Sequence, residues 1–116
     1  PGAVVIEAGA NIGAQTVPLA RVCAPGRLYA FEPQQPVFQA MCANLAANGV
    51  TNVTARPEAL GAVEGWARMP AIDYGRAQNF GSVGLLPEGS RLPGHNVRMA
   101  TIDGLGLESC RLIKVD

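Results

Sequence analysis

The chain begins with a short apolar run that ends on an acid. Residues 3–6 are Ala-Val-Val-Ile, and Glu7 follows directly. An uninterrupted apolar run of this kind predicts a strand that is buried on both faces, as in a parallel sheet. The next residues are rich in glycine, and residues 14–22 have a composition typical of a helix. Strand, glycine-rich turn and helix together predict the first half of a nucleotide-binding βαβ unit.

The same alternation continues along the chain. Residues 27–31 predict a second strand, which ends on Glu32, and residues 36–48 carry apolar side chains at helical spacing. Residues 52–56 predict a third strand, and residues 112–115 predict a fourth, buried strand. This order indicates an α/β fold with a Rossmann-like, doubly wound and mostly parallel sheet.

Residues 64–101 are less regular. Residues 65–70 and 96–100 predict two strands on either side of a segment rich in proline and glycine. We expect a hairpin-like excursion beside the main sheet, before the last strand. Trp66 is expected to pack within it.

The composition of the chain excludes several classes of protein. The chain has 116 residues, with nine basic and nine acidic side chains, which predicts one domain without an electrostatic footprint for nucleic acid or an anionic membrane. Its apolar runs are too short for a membrane span, and no signal-peptide layout is present. The three widely spaced cysteines indicate reduced thiols in a cytoplasmic protein and predict no metal site. Because residue 1 is proline and the last strand stops at its tip, we expect residues 1–116 to be one partial domain of a longer protein.

The first glycine-rich turn carries candidate chemistry. A dinucleotide fingerprint has the pattern Gly-x-Gly-x-x-Gly. Here Gly9 is followed by Asn11 and then Gly13, and Glu7 stands two residues before the first glycine. An acid at this point repels a pyrophosphate but suits a cationic group, which favours a sulfonium ligand such as S-adenosylmethionine. The alternative is an ordinary turn between a strand and a helix.

Two later positions would complete an adenosine site. Glu32 lies nineteen residues after Gly13, the distance expected of a carboxylate that accepts from both ribose hydroxyls. Glu58 could accept from an adenine amino group, and the Ala59 backbone could contact a ring nitrogen, because both follow the third strand. A solvated acid at Glu32 and a plain surface turn at residues 57–61 are the alternatives.

These residues carry a resemblance. Residues 5–13, Val-Ile-Glu-Ala-Gly-Ala-Asn-Ile-Gly, look like the first cofactor motif of S-adenosylmethionine-dependent methyltransferases, and more narrowly resemble the FkbM-type family. Tyr-Ala-Phe-Glu-Pro at residues 29–33 is similar to the end of that family's second strand. Further short motifs follow in the family's order at residues 58–61, 79–82, 101–103 and 113–116.

The resemblance implies a sheet in the strand order 3-2-1-4, S-adenosylmethionine as cofactor, and O-methylation of a small-molecule acceptor such as a sugar or natural product. It implies cofactor contacts at Glu7, Gly9, Asn11, Gly13, Glu32, Glu58 and Ala59. Asp116 ends the strand beside the first one, so it is a candidate general base, metal ligand or positioning group. Pro18, within the first helix, and Glu58, where the family often has an amide, depart from the pattern.

Two other functions stay open. A nicotinamide-dependent oxidoreductase domain would share ribose recognition by an acid such as Glu32, although the turn spacing and Glu7 argue against it. A non-catalytic module could keep the fold and bind the cofactor without turnover.

Overall fold

The computed structural model describes residues 2–76 and 83–116. The motif at residues 79–82 therefore lies outside the described residues. The regular elements, in chain order, are β1 (Val4–Ala8), α1 (Thr16–Cys23), β2 (Arg27–Phe31), α2 (Gln35–Ala47), β3 (Val53–Arg56), β4 (Glu58–Leu60), β5 (Gly65–Pro70), β6 (Gly94–Ala100), a 3₁₀ turn (Asp103–Leu105) and β7 (Leu112–Val115).

The main sheet has four parallel strands in the order β3-β2-β1-β7. This confirms the predicted α/β class and the strand order 3-2-1-4, since β7 is the fourth strand of this sheet. As predicted, β1 is buried at its centre, where Val5, Ile6 and Glu7 are almost inaccessible to solvent. In the parallel register Glu7 lies opposite Ala30 of β2 and Lys114 of β7.

Both helices pack on the main sheet, and their ends follow from local chemistry. Pro18 is the third residue of α1, so its missing N–H falls in the first turn, where no intrahelical partner is required. Gly49, with φ of 64°, ends α2, and the N–H groups of Gly49 and Val50 donate to Ala46 O and Leu45 O as in a Schellman motif. No helix among the described residues is long and apolar enough to cross a membrane. The core between helices and sheet is formed by Val5, Ala10, Ala20, Cys23, Leu28, Ala30, Met41 and Leu45.

A second, smaller sheet has the strand order β4-β6-β5. Strands β5 and β6 are antiparallel, which confirms the hairpin-like excursion, and β4 pairs with β6 in parallel. Residues 57–61, for which a plain surface turn was one of the two alternatives, thus contain a three-residue strand. Pro57 lacks an N–H for the main sheet, and after it the chain leaves β2 and pairs with β6 instead.

Two expectations about burial were wrong. Strand β7 is an edge strand among the described residues, and Leu112, Ile113 and Val115 are 46%, 46% and 74% exposed. Trp66 is 69% exposed rather than packed, because β5 lies at the edge of the small sheet. The Arg98 guanidinium carbon lies 6.0 Å from the centroid of the Trp66 ring.

Candidate functional site

A cleft of about 210 Å³ lies where the strands of the main sheet end. It sits at the switch point of the sheet, where the chain order runs from β1 to β2 on one side and to β7 on the other. Ligand pockets commonly measure about 300–1,000 Å³, so a nucleoside-sized ligand would project from the open side of this cleft. The described lining residues are Ala8, Gly9, Asn11, Phe31, Glu32, Pro33, Gln34, Glu58, Ala59, Leu60, Met69, Val83, Gly84, Leu85, Val115 and Asp116.

Two backbone N–H groups orient the Glu32 carboxylate in the cleft. The side chain is almost buried, at 4% exposure of the residue. The backbone N–H of Asn11 donates to Oε1 at 2.8 Å, and that of Gln34 donates to Oε2 at 3.0 Å. A carboxylate has about four acceptor positions, so these two bonds orient Glu32 and leave room for two further donors. Two vicinal hydroxyls could fill those positions.

The turn after β1 adopts backbone angles that explain its composition. Gly9, Asn11 and Gly13 have φ of 75°, 55° and 89°. A side chain on Gly9 would come within 3.2 Å of Asp116 Cβ, and one on Gly13 would come within 3.2 Å of Met41 Cγ. Asparagine tolerates the left-handed region, so Asn11 can replace a glycine there and still present its N–H to Glu32. Gly9 and Asn11 line the cleft, whereas Gly13 packs against α2.

Glu7 does not line the cleft. It is fully buried on the side of the sheet that carries α1, and the Thr16 hydroxyl donates to its Oε1 at 2.5 Å. Its Oε2 accepts no hydrogen bond from a described residue, but Lys114 Nζ lies 3.3 Å away. Glu7 therefore joins β1 to α1 and β7.

Lys114 was missed by the sequence patterns. Its ammonium group lies between two carboxylates, 3.3 Å from Glu7 Oε2 and 3.6 Å from Asp116 Oδ2. In the structure Glu7 and Lys114 are each one residue before the end of their strand, whereas the apolar run at residues 3–6 had placed Glu7 after the strand. Parallel strands in the predicted order place such residues side by side, as observed.

Asp116 stands at the mouth of the cleft. Its backbone N–H donates to Ala8 O at 3.1 Å, which continues the pairing of β7 with β1 by one residue. Its side chain is 66% exposed and lines the cleft.

Glu58 and Ala59 also line the cleft and are both buried, at 8% and 6% exposure. The Glu58 carboxylate is flanked by two arginines, with Arg56 Nη1 at 3.5 Å and Arg98 Nε at 3.8 Å. The strand β4 fixes the backbone of these residues through its pairing with β6.

A tyrosine lies near the Glu32 end of the cleft. The Tyr74 hydroxyl donates to Gln34 Oε1 at 3.1 Å. Burial, and secondly the negative charge of Glu32, raise the pKa of the Tyr74 phenol above its usual value of 10.0. Tyr74 is therefore a protonated hydrogen-bond donor at neutral pH, and sequence patterns gave no sign of it.

Of the predicted site residues, the structure brings Gly9, Asn11, Glu32, Glu58, Ala59 and Asp116 together around one cleft, and leaves Glu7 and Gly13 behind it. The charged residues among the described lining are all acidic: Glu32, Glu58 and Asp116. This set favours a ligand with a cationic group and hydroxyl donors, and opposes a pyrophosphate. Within residues 2–76 and 83–116, no three His, Cys, Asp or Glu side chains are arranged to hold a metal ion.

A second concavity of about 670 Å³ lies beside β5 and is lined by Trp66, Arg68 and residues 85–89, among others. None of the predicted site residues lines it. Comparisons of the chain with protein-family models, curated proteins and solved structures found no significant match.

Proposed function

We propose that the chain is the cofactor-binding domain of an S-adenosylmethionine-dependent methyltransferase that acts on a hydroxyl group of a small-molecule acceptor. The observation that carries the proposal is the buried Glu32 carboxylate, which is oriented by two backbone N–H groups and faces the switch-point cleft. The sugar or natural-product class of the acceptor rests on the FkbM-type resemblance alone. The three free thiols support a cytoplasmic location for the protein.

The residues of the cleft fit an adenosyl sulfonium better than a dinucleotide. Glu32 offers acceptors to the ribose hydroxyls, and Glu58 offers an acceptor near the adenine end. All charged lining residues in the described part of the chain are acidic, so a pyrophosphate would meet repulsion. No lysine or arginine of that part lines the cleft to offset it.

The chemistry asks little of the protein. When bound in the cleft, S-adenosylmethionine would supply an electrophilic methyl group to the acceptor oxygen, with S-adenosylhomocysteine as the leaving group and the hydroxyl proton passing to a base. The residues of the cleft would align the methyl donor with the acceptor. Asp116, at the mouth, is the candidate to take the hydroxyl proton or to orient the acceptor.

Calorimetric titration tests the cofactor class. We expect S-adenosylmethionine and S-adenosylhomocysteine to bind and NADH not to bind. If NADH binds and both adenosyl ligands do not, the protein is better described as an oxidoreductase domain, and the proposal is wrong.

Comparison of adenosine with 2′-deoxyadenosine tests the role of Glu32. The wild type should prefer adenosine, because loss of a hydrogen bond to a charged group costs about 1.5–3 kcal/mol, or roughly 10- to 150-fold in Kd. Glu32→Gln should reduce this preference, whereas Glu108→Gln, at an exposed position, should keep it. An equal affinity of the wild type for both nucleosides would place the ribose elsewhere.

A mass-shift screen with a labelled methyl donor and hydroxylated acceptors tests turnover in the intact protein. Asp116→Asn should slow methyl transfer if Asp116 takes the proton or orients the acceptor. Unchanged transfer in this variant would remove Asp116 from the mechanism. Binding of the cofactor without methylation of any acceptor would support a non-catalytic module.

A further inference from the structure

The two acids at the ends of β1 and β7 have different surroundings. Glu7 is completely buried, contributes nothing to the cleft lining, and is engaged by the Thr16 hydroxyl and by the Lys114 ammonium. Asp116 is 66% exposed at its side chain and lines the cleft. A ligand in the cleft would therefore contact Asp116 directly. Glu7 is on the face of the sheet that carries α1 and would not contact it.

The backbone holds Asp116 at this position. Its N–H donates to Ala8 O. A Cβ at position 9 would lie 3.2 Å from Asp116 Cβ, so Gly9, which has none, leaves room for the Asp116 side chain. The close approach of the turn to the end of β7 therefore depends on the glycine. As a result, the carboxylate lies beside the turn that lines the cleft.

Lys114 couples the two acids. Its ammonium lies 3.3 Å from Glu7 Oε2 and 3.6 Å from Asp116 Oδ2, so one positive charge is shared between two negative charges. Its side chain is only 23% exposed and does not line the cleft. The three groups together carry one net negative charge. Of the two acids, only Asp116 is exposed to the cleft and to solvent.

We propose that Asp116, rather than Glu7, is the carboxylate that recognises the positive sulfonium of the ligand. Lys114 limits the strength of this recognition. The proposal rests on the proposed function and names a specificity-determining residue within that site. S-adenosylmethionine and S-adenosylhomocysteine differ by the charge of the sulfur and one methyl group. An acid at the mouth of the cleft attracts the charged donor and loses this attraction when the sulfur becomes neutral. Asp116 thus favours exchange of product for donor.

The ratio of the two dissociation constants measures this effect. We expect the wild type to prefer S-adenosylmethionine by roughly threefold to fivefold, the scale of an exposed ion pair. Asp116→Asn should bring the ratio close to one without a loss of thermal stability. Glu7→Gln should lower stability and also lower the ratio, because Lys114 then pairs with Asp116 alone. Glu32→Gln should weaken both ligands to the same extent.

The double variant Glu7→Gln/Lys114→Met tests the role of Lys114. It removes one negative and one positive charge, so the net charge of the protein is preserved while Asp116 loses its cationic neighbour. We expect the preference for S-adenosylmethionine to increase above that of the wild type. A decrease would mean that Lys114 orients Asp116 instead of limiting it, and would overturn that half of the proposal.

The outcomes separate this inference from the proposed function. If both ligands bind and Asp116→Asn leaves their ratio unchanged, Asp116 does not recognise the charge, although the cofactor class stands. If neither ligand binds the wild type, the proposed function fails, and the inference fails with it.

Discussion

At the scale of single residues, Tyr74 offers a pH-dependent test of the Glu32 end of the cleft. Burial and the Glu32 charge raise the pKa of its phenol above 10.0, so the folded state holds this proton more tightly than the unfolded chain. The contribution of this proton to the free energy of unfolding is fully present below pH 10 and is lost as the pH rises through the folded-state pKa. We therefore expect the free energy of unfolding to fall above pH 10, and the ultraviolet absorbance of tyrosinate to show one late titration.

Variants assign that titration. Tyr74→Phe should remove the late phase, and Tyr29→Phe, at the other tyrosine, should keep it. Glu32→Gln should shift the midpoint toward lower pH, because it removes the second cause of the shift. A late phase that survives Tyr74→Phe would contradict this assignment.

Glu7 should matter for stability. Glu7→Gln removes the negative charge that faces Lys114, whose side chain is only 23% exposed. The variant keeps an oxygen that can accept from Thr16. We expect a loss of about 1–3 kcal/mol in the free energy of unfolding, measured by urea denaturation. Glu88→Gln, at an exposed position, should change it by less than about 0.5 kcal/mol, and equal values for the two variants would show that the buried ion pair contributes nothing.

Residue-scale chemistry was only partly predictable from the sequence. Glu32 could be placed at the cleft because it follows a clear apolar run by one residue, and parallel strands bring their ends together. Glu7 was predicted beside the ligand, but an acid one residue before the end of β1 points to the face that carries α1. The difference is the two-residue period of a strand, which decides the face on which a side chain lies.

At the scale of elements, Gly13 connects the first turn to α2. Gly13→Ala would force a side chain into a φ of 89° and against Met41 Cγ at 3.2 Å. We expect a loss of about 1–3 kcal/mol, since strained backbone alone has a cost on this scale. Thermal or urea denaturation measures it.

Substitutions at two other glycines separate the cost of the backbone conformation from the cost of the contact with Met41. Gly49 has a φ of 64°, but no atom lies within 4 Å of the position that a Cβ would take, so Gly49→Ala should show the backbone cost alone. Gly84→Ala should be close to neutral, because its surroundings are open and its φ lies outside the left-handed region. A Gly13→Ala variant no less stable than Gly49→Ala would exclude a role for the contact with Met41.

Elements were predicted best where their burial is local. Strands β1 and β2 coincide with apolar runs, and most of their residues are buried because both strands lie in the interior of the main sheet. Strand β4 was missed because its three residues pair with β6, about forty positions further on, and so short a segment has no period of its own. The run at β7 predicted burial equally well, yet among the described residues β7 pairs with β1 on one side only, and its apolar side chains are exposed.

At the scale of the whole molecule, the two sheets differ in how much they bury. The main sheet and its helices share the apolar core, whereas the small sheet contributes only Ala59, Met69 and Val97 to the buried hydrophobic residues of the described chain. Elements with few buried contacts open locally at lower free energy than the core. We therefore expect backbone amides of β5 and β6 to exchange with deuterium faster than those of β1 and β2.

Ligand binding should reduce this difference, because the cleft is lined from both sheets, by Gly9 and Glu32 on one side and Ala59 and Met69 on the other. At a ligand concentration of 100 times Kd, binding stabilises the competent state by about 2.7 kcal/mol, roughly 100-fold in the exchange of amides that open only when the ligand has left. With S-adenosylhomocysteine we expect added protection in β4 and around Met69 of β5, as well as in β1 and β2. NADH at the same concentration serves as the control and should add none. Protection confined to the main sheet would show that the hairpin is not a wall of the ligand site, and that Glu58 and Ala59 do not contact the adenine.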